Sequence, residues 1–448
     1  MMKTTLIATS LFLLSPYSLA LDLIEAYERA KTTDPNWQAN VYQYQADQLN
    51  LGIAKGNLLP TVTVSGNITR NDQDLNQSMP GGENGFFDSS DLMSTSSTSK
   101  QISITARQPL FRVDAWQGYK QVKTSVQLSE ITLKLQQQQH ILNVAESYFN
   151  VLRQQALTLT NAQEEKALLE QLNMMNAKLR EGLVAKSDVS EANAQYQNAR
   201  ANRIATGTQL VLAQEQLAQL IGPYHEKLAV LRDDFQYQKP IPNSLEEWSN
   251  LARSQNLEIL QARLQQQYAN DQKRVEKAAI YPQLDAVATY GYNTQTPKTI
   301  ISNDGQFDQL GVEMNWNIFN GGRTKRNIDK ASINVKKSDS QYDAAVRKAQ
   351  TDVKKSYLQV ETDQATLQAR KAAMESSALV SKASQAQYSE GLKTMVDVLL
   401  AQRNAFSTKQ DFVNAQYDYV LNVLRLKAAV GQLNEAELAQ MNAWLVYK

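Results

Sequence analysis

Two long stretches of the chain repeat apolar residues at helical spacing and are nearly free of Gly and Pro. Leu128, Leu135, Leu142 and Phe149 lie seven apart within 113–180, and Val346, Val353, Val360, Leu367 and Met374 do the same within 322–389. Seven-residue spacing predicts helices that pack as coiled coils with their neighbours. At ~1.5 Å per residue the first of them is expected to be about 100 Å long. Much of their remaining surface is Gln, Asn, Ser, Lys and Ala, as in the run Gln136–Gln139. A structural rod and a conduit account for such helices equally well.

Four short segments follow a different period. Thr61–Ile68 and Gln101–Ala106 alternate polar with apolar residues. Leu284, Ala286, Ala288, Tyr290 and Tyr292 share one face opposite Asp285, Thr289 and Asn293. Leu310, Val312, Met314, Trp316 and Ile318 oppose Glu313, Asn315 and Asn317. Each run is about ten residues, the length of a transmembrane β-strand with one lipid-facing and one wet face. Tyr290, Tyr292, Trp316 and Phe319 lie towards the ends, as an interfacial girdle requires. Two hairpins packed on a soluble core are the other reading. Four strands cannot close a barrel, and an open edge is not viable in lipid, so spanning strands require several chains to pool them. Three copies supply twelve strands, an even number within the bacterial range.

The two halves of the chain resemble each other. Leu58-Leu59-Pro60 matches Ile280-Tyr281-Pro282 at an offset of 222. Further on the offset is 209, holding for Ser147-Tyr148-Phe149 with Ser356-Tyr357-Leu358, and for Glu181-Gly182-Leu183 with Glu390-Gly391-Leu392. One length change, between Asn71–Lys100 and Thr294–Phe307, separates the two registers, which points to a tandem duplication. The expected layout is as follows: repeat 1 covers 21–222, with a leading helix, a hairpin over 60–111, a long helix over 113–180 and a return helix over 183–221. A linker covers 223–244. Repeat 2 covers 245–432, with a leading helix, a hairpin over 282–319, a long helix over 322–389 and a return helix over 392–430. A terminal segment covers 433–448. The Ser/Thr/Gly-rich loop 71–100 is expected to face the cell exterior.

Composition and short motifs narrow the reading further. Residues 1–20 read as a secretory signal peptide, with Lys3 before the apolar run Leu6–Leu14 and small residues Ser18 and Ala20 at the cleavage site. Beyond it no apolar run is long enough for a membrane-spanning helix. The 46 Lys+Arg against 45 Asp+Glu give no basic excess for nucleic acid. The absence of Cys removes thiol chemistry, Cys-type metal sites and an N-terminal lipid anchor. His140 and His225 lack metal-ligand spacing, and Gly321-Gly322 is not followed by the Gly-Lys-Ser/Thr of a phosphate loop. No catalytic, cofactor or metal site is expected, and the protein reads as a non-enzyme.

The opening Leu21-Asp22-Leu23-Ile24-Glu25-Ala26-Tyr27, the strand start Asn57-Leu58-Leu59-Pro60, Asn317-Ile318-Phe319-Asn320-Gly321-Gly322, Glu181-Gly182-Leu183-Val184-Ala185, Ser187-Asp188-Val189 and the closing Leu424–Asn434 stretch stand in order over nearly the whole mature chain. Together they resemble the TolC family of outer-membrane efflux and secretion channels. The resemblance implies an α+β membrane protein: a homotrimer with a twelve-stranded barrel in outer-membrane lipid and a helical barrel in the periplasm. It implies docking to a periplasmic adaptor (membrane fusion) protein and an inner-membrane pump of the RND, MFS or ABC type. The docking tips would be Gly182, Leu183, Val184, Gly391 and Leu392. A gate near the tips would link Ser187 and Asp188 on one helix pair to Tyr388 and Lys393 on another, with Asp397 as the inner acidic ring of the aperture. Lys393 stands where the family usually has Arg and cannot form a bidentate fork, which implies a less firmly held closed state. Leu400 stands where the best-known members carry a second acid, which implies weaker cation binding. Helix capping near a Gly turn also accounts for Asp188 and Asp397, and a periplasmic coiled-coil scaffold without a pore is the alternative function.

Overall fold

The computed structural model describes residues 20–74, 94–232, 235, 237, 240–296 and 304–447. The signal peptide, except Ala20, and residues 75–93 of the loop 71–100 lie outside the described residues. In chain order the elements are α1 (Leu23–Thr33), α2 (Pro35–Gly56), β1 (Thr61–Asp74), β2 (Ser94–Phe111), α3 (Val113–Arg180), α4 (Lys186–Ile221), β3 (Val230–Leu231), α5 (Leu245–Gln255), α6 (Leu257–Ala278), β4 (Gln283–Thr296), β5 (Gly305–Asn315), α7 (Arg323–Ser389), α8 (Met395–Val430), α9 (Glu435–Asn442) and β6 (Leu445–Val446). Among the described residues no helix is long and apolar enough to cross a membrane.

Each leading helix is two helices, contrary to the single helix expected in each repeat. Asp34 precedes Pro35, whose ring disfavours the helical conformation at the residue before it. Asp34 accordingly sits at ψ 112°, and its Oδ1 accepts from the Asn36 N–H at 2.9 Å, capping α2. In the second half the break falls at Asn256, at ψ 124°. Its Oδ1 accepts from the Ile259 N–H at 3.0 Å, and its Nδ2 donates to the Ala429 carbonyl at 2.7 Å. The return helices begin at Lys186 and Met395 instead of 183 and 392. The residues between close the preceding helices: Gly182 and Gly391 take φ of +69° and +75°, and the Leu183 and Leu392 N–H groups reach back to the Lys178 and Gln387 carbonyls at 2.9 and 2.8 Å. This left-handed glycine ending satisfies carbonyls that a helix end otherwise leaves open.

The chain divides into two units, and the division falls inside α2, α3, α6 and α7. One unit comprises Gln43–Glu130 and Gln261–Asp343. It holds an antiparallel sheet in the order β1-β2-β4-β5. The register puts Val62, Ala106, Ala288 and Leu310 in one row and Thr63, Thr105, Thr289 and Gln309 in the next. Because side chains alternate faces along a strand, one face of the sheet is mainly apolar, interrupted by Asp308 beside Tyr290 and by Lys100, Arg70 and Asp72 towards the loop end, and the other is mainly polar, with Val287 and Phe307 among its apolar members. The apolar residues stay exposed: Val64 at 68%, Ile68 at 73%, Tyr290 at 54% and Leu310 at 84%. Hydroxyl pairs knit the polar face, Ser65 with Ser103 at 3.0 Å and Thr105 with Thr289 at 3.2 Å. Trp316 and Ile318, expected within the last strand, lie beyond it. β5 ends at Asn315, opposite Gln283, because the next residue back on the partner is Pro282, which has no N–H for the ladder. Trp316 instead donates through its indole to the Ile280 carbonyl at 3.0 Å. Polar contacts join the helical parts of this unit, including Thr124 to Asp271 at 2.7 Å, with both residues buried, and Ser129 to Asp47 at 2.6 Å.

The other unit comprises Met1–Tyr42, Ile131–Leu260 and Ala344–Lys448. Its core gathers Tyr27, Tyr148, Phe149, Leu217, Trp248, Val420, Leu424 and Met441, all essentially without exposed surface. Truncating a buried aromatic of this kind costs roughly 3–5 kcal/mol. Both ends of the described chain meet here. The Tyr148 hydroxyl lies 2.9 Å from the Leu21 carbonyl and 2.8 Å from that of Ala229, and β3 pairs with β6. Asp22 caps α1 by accepting from the Glu25 N–H at 2.7 Å, and it also accepts from Asn442 at 2.9 Å and Tyr447 at 3.0 Å. The heptad series separate in burial: Phe149, Val353, Val360 and Leu367 are buried, while Leu128, Leu135, Val346 and Met374 are half-buried.

Candidate functional site

The turns between α3 and α4 and between α7 and α8 form the candidate site. Both belong to the second unit described. A separate apolar cluster lies behind them, with Leu168, Leu172, Met175, Met395, Val398 and Leu399 buried and Val184, Val189, Tyr196 and Tyr388 packed against it. Gly182 and Gly391 turn the chain, and the next residues, Leu183 at 71% and Leu392 at 76% exposed, project into solvent. Val184 is half-buried. Two leucines of such exposure beside tight turns make apolar surface that the chain itself does not cover.

The four expected gate residues do not form one cluster within the chain. Ser187 donates to Asp188 Oδ1 at 3.4 Å, and Asp188 Oδ2 accepts from the Ala185 N–H at 3.4 Å, at the start of α4. Ala185 has no side-chain oxygen to return that bond, so the cap is one-sided. Lys393 donates to the buried Ser384 hydroxyl at 2.9 Å. Tyr388 is engaged by a residue the sequence reading did not single out. Lys178 Nζ lies 3.2 Å from its hydroxyl and 4.5 Å from its ring centroid, and the Met175 sulfur is 3.9 Å away. The sequence did carry a signal for Lys178: it is a cation in the last turn of a long helix, where the negative end of the helix dipole favours positive charge.

Asp397 is exposed and sits three residues after Thr394 at the start of α8. The Thr394 N–H and hydroxyl both donate to Asp397 Oδ2, at 3.0 and 2.6 Å, and the Asp397 N–H returns to the Thr394 hydroxyl at 3.3 Å. This reciprocal arrangement satisfies two orphan donors at the helix start. The Thr394 hydroxyl, then its N–H, holds the Asp397 carboxyl below the ordinary carboxylate value. Asp397 therefore stays charged in neutral and mildly acidic water, and capping and a charged aperture are compatible roles for it.

His140 departs from its sequence context. It lies in a Gln-rich run, yet it is only 5% exposed, against Asp34 at 4%. Its ring stacks on Trp37 at 5.2 Å and 14°, and its Nε2 is 3.2 Å from Asp34 Oδ2. Burial pushes the imidazole below its ordinary value, and the Asp34 charge opposes that shift.

With this geometry in hand, comparison with known proteins gives a consistent result. A model of the outer membrane efflux protein family matches residues 26–223 and 248–432, once in each half. The outer membrane protein TolC of Escherichia coli K12 is 31% identical over 450 aligned positions, covering 98% of this chain and 87% of that protein. The alkaline protease secretion protein AprF of Pseudomonas aeruginosa is 26% identical, covering 98% of this chain and 90% of that protein. In fold, the chain is similar to the crystal structure of the Campylobacter jejuni CmeC outer membrane channel, with a TM-score of 0.78 and 15% identity, over 94% of this chain and 89% of that one.

Proposed function

The chain belongs to the outer membrane efflux protein family, a family of transport channels and not of enzymes, and from that premise we propose that it forms the passive outer-membrane exit duct of a tripartite efflux pump or type I secretion system. In this reading three copies pool β1, β2, β4 and β5 into a twelve-stranded barrel in outer-membrane lipid. The helices extend into the periplasm. The exposed tips around Gly182, Leu183, Val184, Gly391 and Leu392 dock a periplasmic adaptor that couples to an inner-membrane RND, MFS or ABC pump. Cargo is drugs or polypeptides delivered by that pump, whose ATP hydrolysis or proton gradient supplies the energy.

The observation that carries the proposal is the sheet. Its apolar face stays exposed across all four strands, and its outer strands β1 and β5 have no partner on their far sides within the sheet. Exposed edges and a mainly apolar exposed face are costly in water. Both costs vanish in a closed barrel within lipid. Successive strands are antiparallel, so the β1 of a neighbouring copy laid beside β5 continues the alternation. A coiled-coil scaffold without a pore leaves this sheet unexplained.

At the tips, the reading assigns closure to two sets of contacts. Lys178 holds Tyr388 within a chain, and Asp188 with Ser187 reaches Lys393 of a neighbouring helix pair in the assembly. The test is planar-bilayer recording from protein extracted from outer membranes. Discrete conductance steps are expected. A protein that washes off membranes with carbonate and gives no steps is the scaffold instead.

A further inference from the structure

The polar face of the sheet is almost free of charge. On β1 it presents Thr61, Thr63, Ser65, Asn67, Thr69 and Asn71; the corresponding residues of β2 and β4 include Gln101, Ser103, Thr105, Thr289 and Asn293. Among the described residues, ionic side chains occur on this face of the strands at three positions only, Arg107, Asp285 and Glu313, and these three touch. Arg107 Nη1 lies 3.0 Å from Asp285 Oδ2 and 2.8 Å from Glu313 Oε2. Asp285 and Glu313 are direct partners across β4 and β5. Arg112, just past the end of β2, approaches Asp285 at 3.7 Å while holding Asp114 at 2.9 Å, so that pair adds no net charge. The cluster lies at the end of the sheet where β2 passes into α3.

Stability accounts for pairing Asp285, whose side chain is only 12% exposed, with Arg107, but not for placing Glu313 beside them. Arg107 is 41% and Glu313 57% exposed, and ion pairs of such exposure contribute about 0–1 kcal/mol. The electrostatic consequence is larger. One guanidinium against two carboxylates leaves each chain with one uncompensated negative charge on a surface of hydroxyls and amides that offers no competing fixed charge. A fixed charge biases the local ion population over a Debye length, about 10 Å at 0.1 M salt and about 3 Å at 1 M.

We propose that Arg107, Asp285 and Glu313 form a charge-selecting girdle at the base of the barrel lumen, giving the pore a cation preference separate from any contributed by Asp397 at the tips. The proposal rests on the reading of this chain as a pore-forming assembly. In three copies the girdle carries three net negative charges around one lumen. Arg107 sets the size of that charge, because it cancels one of the two acids and pins β2 to β4 and β5. Anionic cargo meets resistance there, and cationic cargo does not.

The experiment measures reversal potentials across planar bilayers under a KCl gradient, in an Asp397→Asn background so that the tips contribute no carboxylate ring. At about 0.1 M salt the background pore is expected to prefer cations, Glu313→Gln to lose most of that preference, and Glu313→Lys to favour anions. Arg107→Gln is expected to raise the cation preference, roughly twofold, and all these differences should shrink at about 1 M as screening shortens the field. Glu313 is exposed, so its variants test charge without disturbing a core; equal yields of assembled channel confirm this. Conducting channels whose reversal potentials match the background in both Glu313 variants overturn the girdle and leave the pore reading intact. A background protein that never conducts overturns the pore reading, and the girdle with it.

Discussion

At the scale of single residues, burial outweighs sequence context. His140 follows four glutamines, yet it is packed between Trp37 and Tyr27 and faces Asp34. Desolvation disfavours the charged imidazole more than Asp34 favours it, so its pKa lies below the ordinary 6.5. The folded chain therefore binds fewer protons here than the unfolded chain as pH falls past that value. Stability is complete above about 6.5 and declines as pH drops towards the folded pKa. Thermal unfolding followed from pH 8 to 5 should show this decline, and His140→Gln should flatten the part due to this site. Equal slopes in wild type and variant would remove the assignment. The glutamines before it gave no hint of this, because seven-residue spacing identifies a helix but not which of its faces a second helix covers.

At the scale of elements, the two halves share their order of helices and strands but not their packing. Tyr148 and Tyr357 correspond and both are buried, whereas their neighbours Phe149 and Leu358 differ, one fully buried and the other 45% exposed. A duplication copies local sequence; it does not copy the surroundings into which each copy folds. The break at Asp34 carries a sequence signal, the Pro that follows it, whereas that at Asn256 has no adjacent Pro or Gly, and apolar spacing alone reads straight through both. At the tips the glycine turns were legible because a positive φ selects Gly, while the partner of Tyr388 was not. The Lys178 contact is of a type worth about 0.5–1 kcal/mol at an exposed site, so under the proposed trimeric reading three copies would contribute about 1.5–3 kcal/mol to closure. Lys178→Ala is accordingly expected to raise the open fraction of the channel by roughly tenfold to a hundredfold, and Lys178→Arg, which keeps the cation over the ring, should not. The double variant Asp188→Ala with Lys393→Ala should also raise it, through links between copies. Conductance that stays at wild-type level in Lys178→Ala would show that this contact does not hold the tips shut.

For the molecule as a whole, the incomplete sheet is the feature that the proposed assembly of copies explains. The chain contains no Cys, so with one cysteine introduced on β1 and one on β5 every disulfide formed joins introduced positions. Pairs scanned along the two edge strands should yield a register that cross-links copies in the membrane, with a ladder on non-reducing gels that ends at three. A ladder that ends at two, or continues past three, would contradict the twelve-stranded barrel. The periods of the long helices, the two faces of each strand and the glycine turns were legible in the amino acids alone, because each is a property of neighbouring residues and elementary backbone sterics; the duplication was legible because it repeats the same residues at a nearly fixed offset. Which distant groups meet became visible only in the folded chain: Lys178 with Tyr388 across 210 residues, Arg107 with Asp285 across 178, and His140 with Asp34. Such pairs depend on strand register and on which helix faces pack together, and a one-residue slip in either turns the same side chains away from each other.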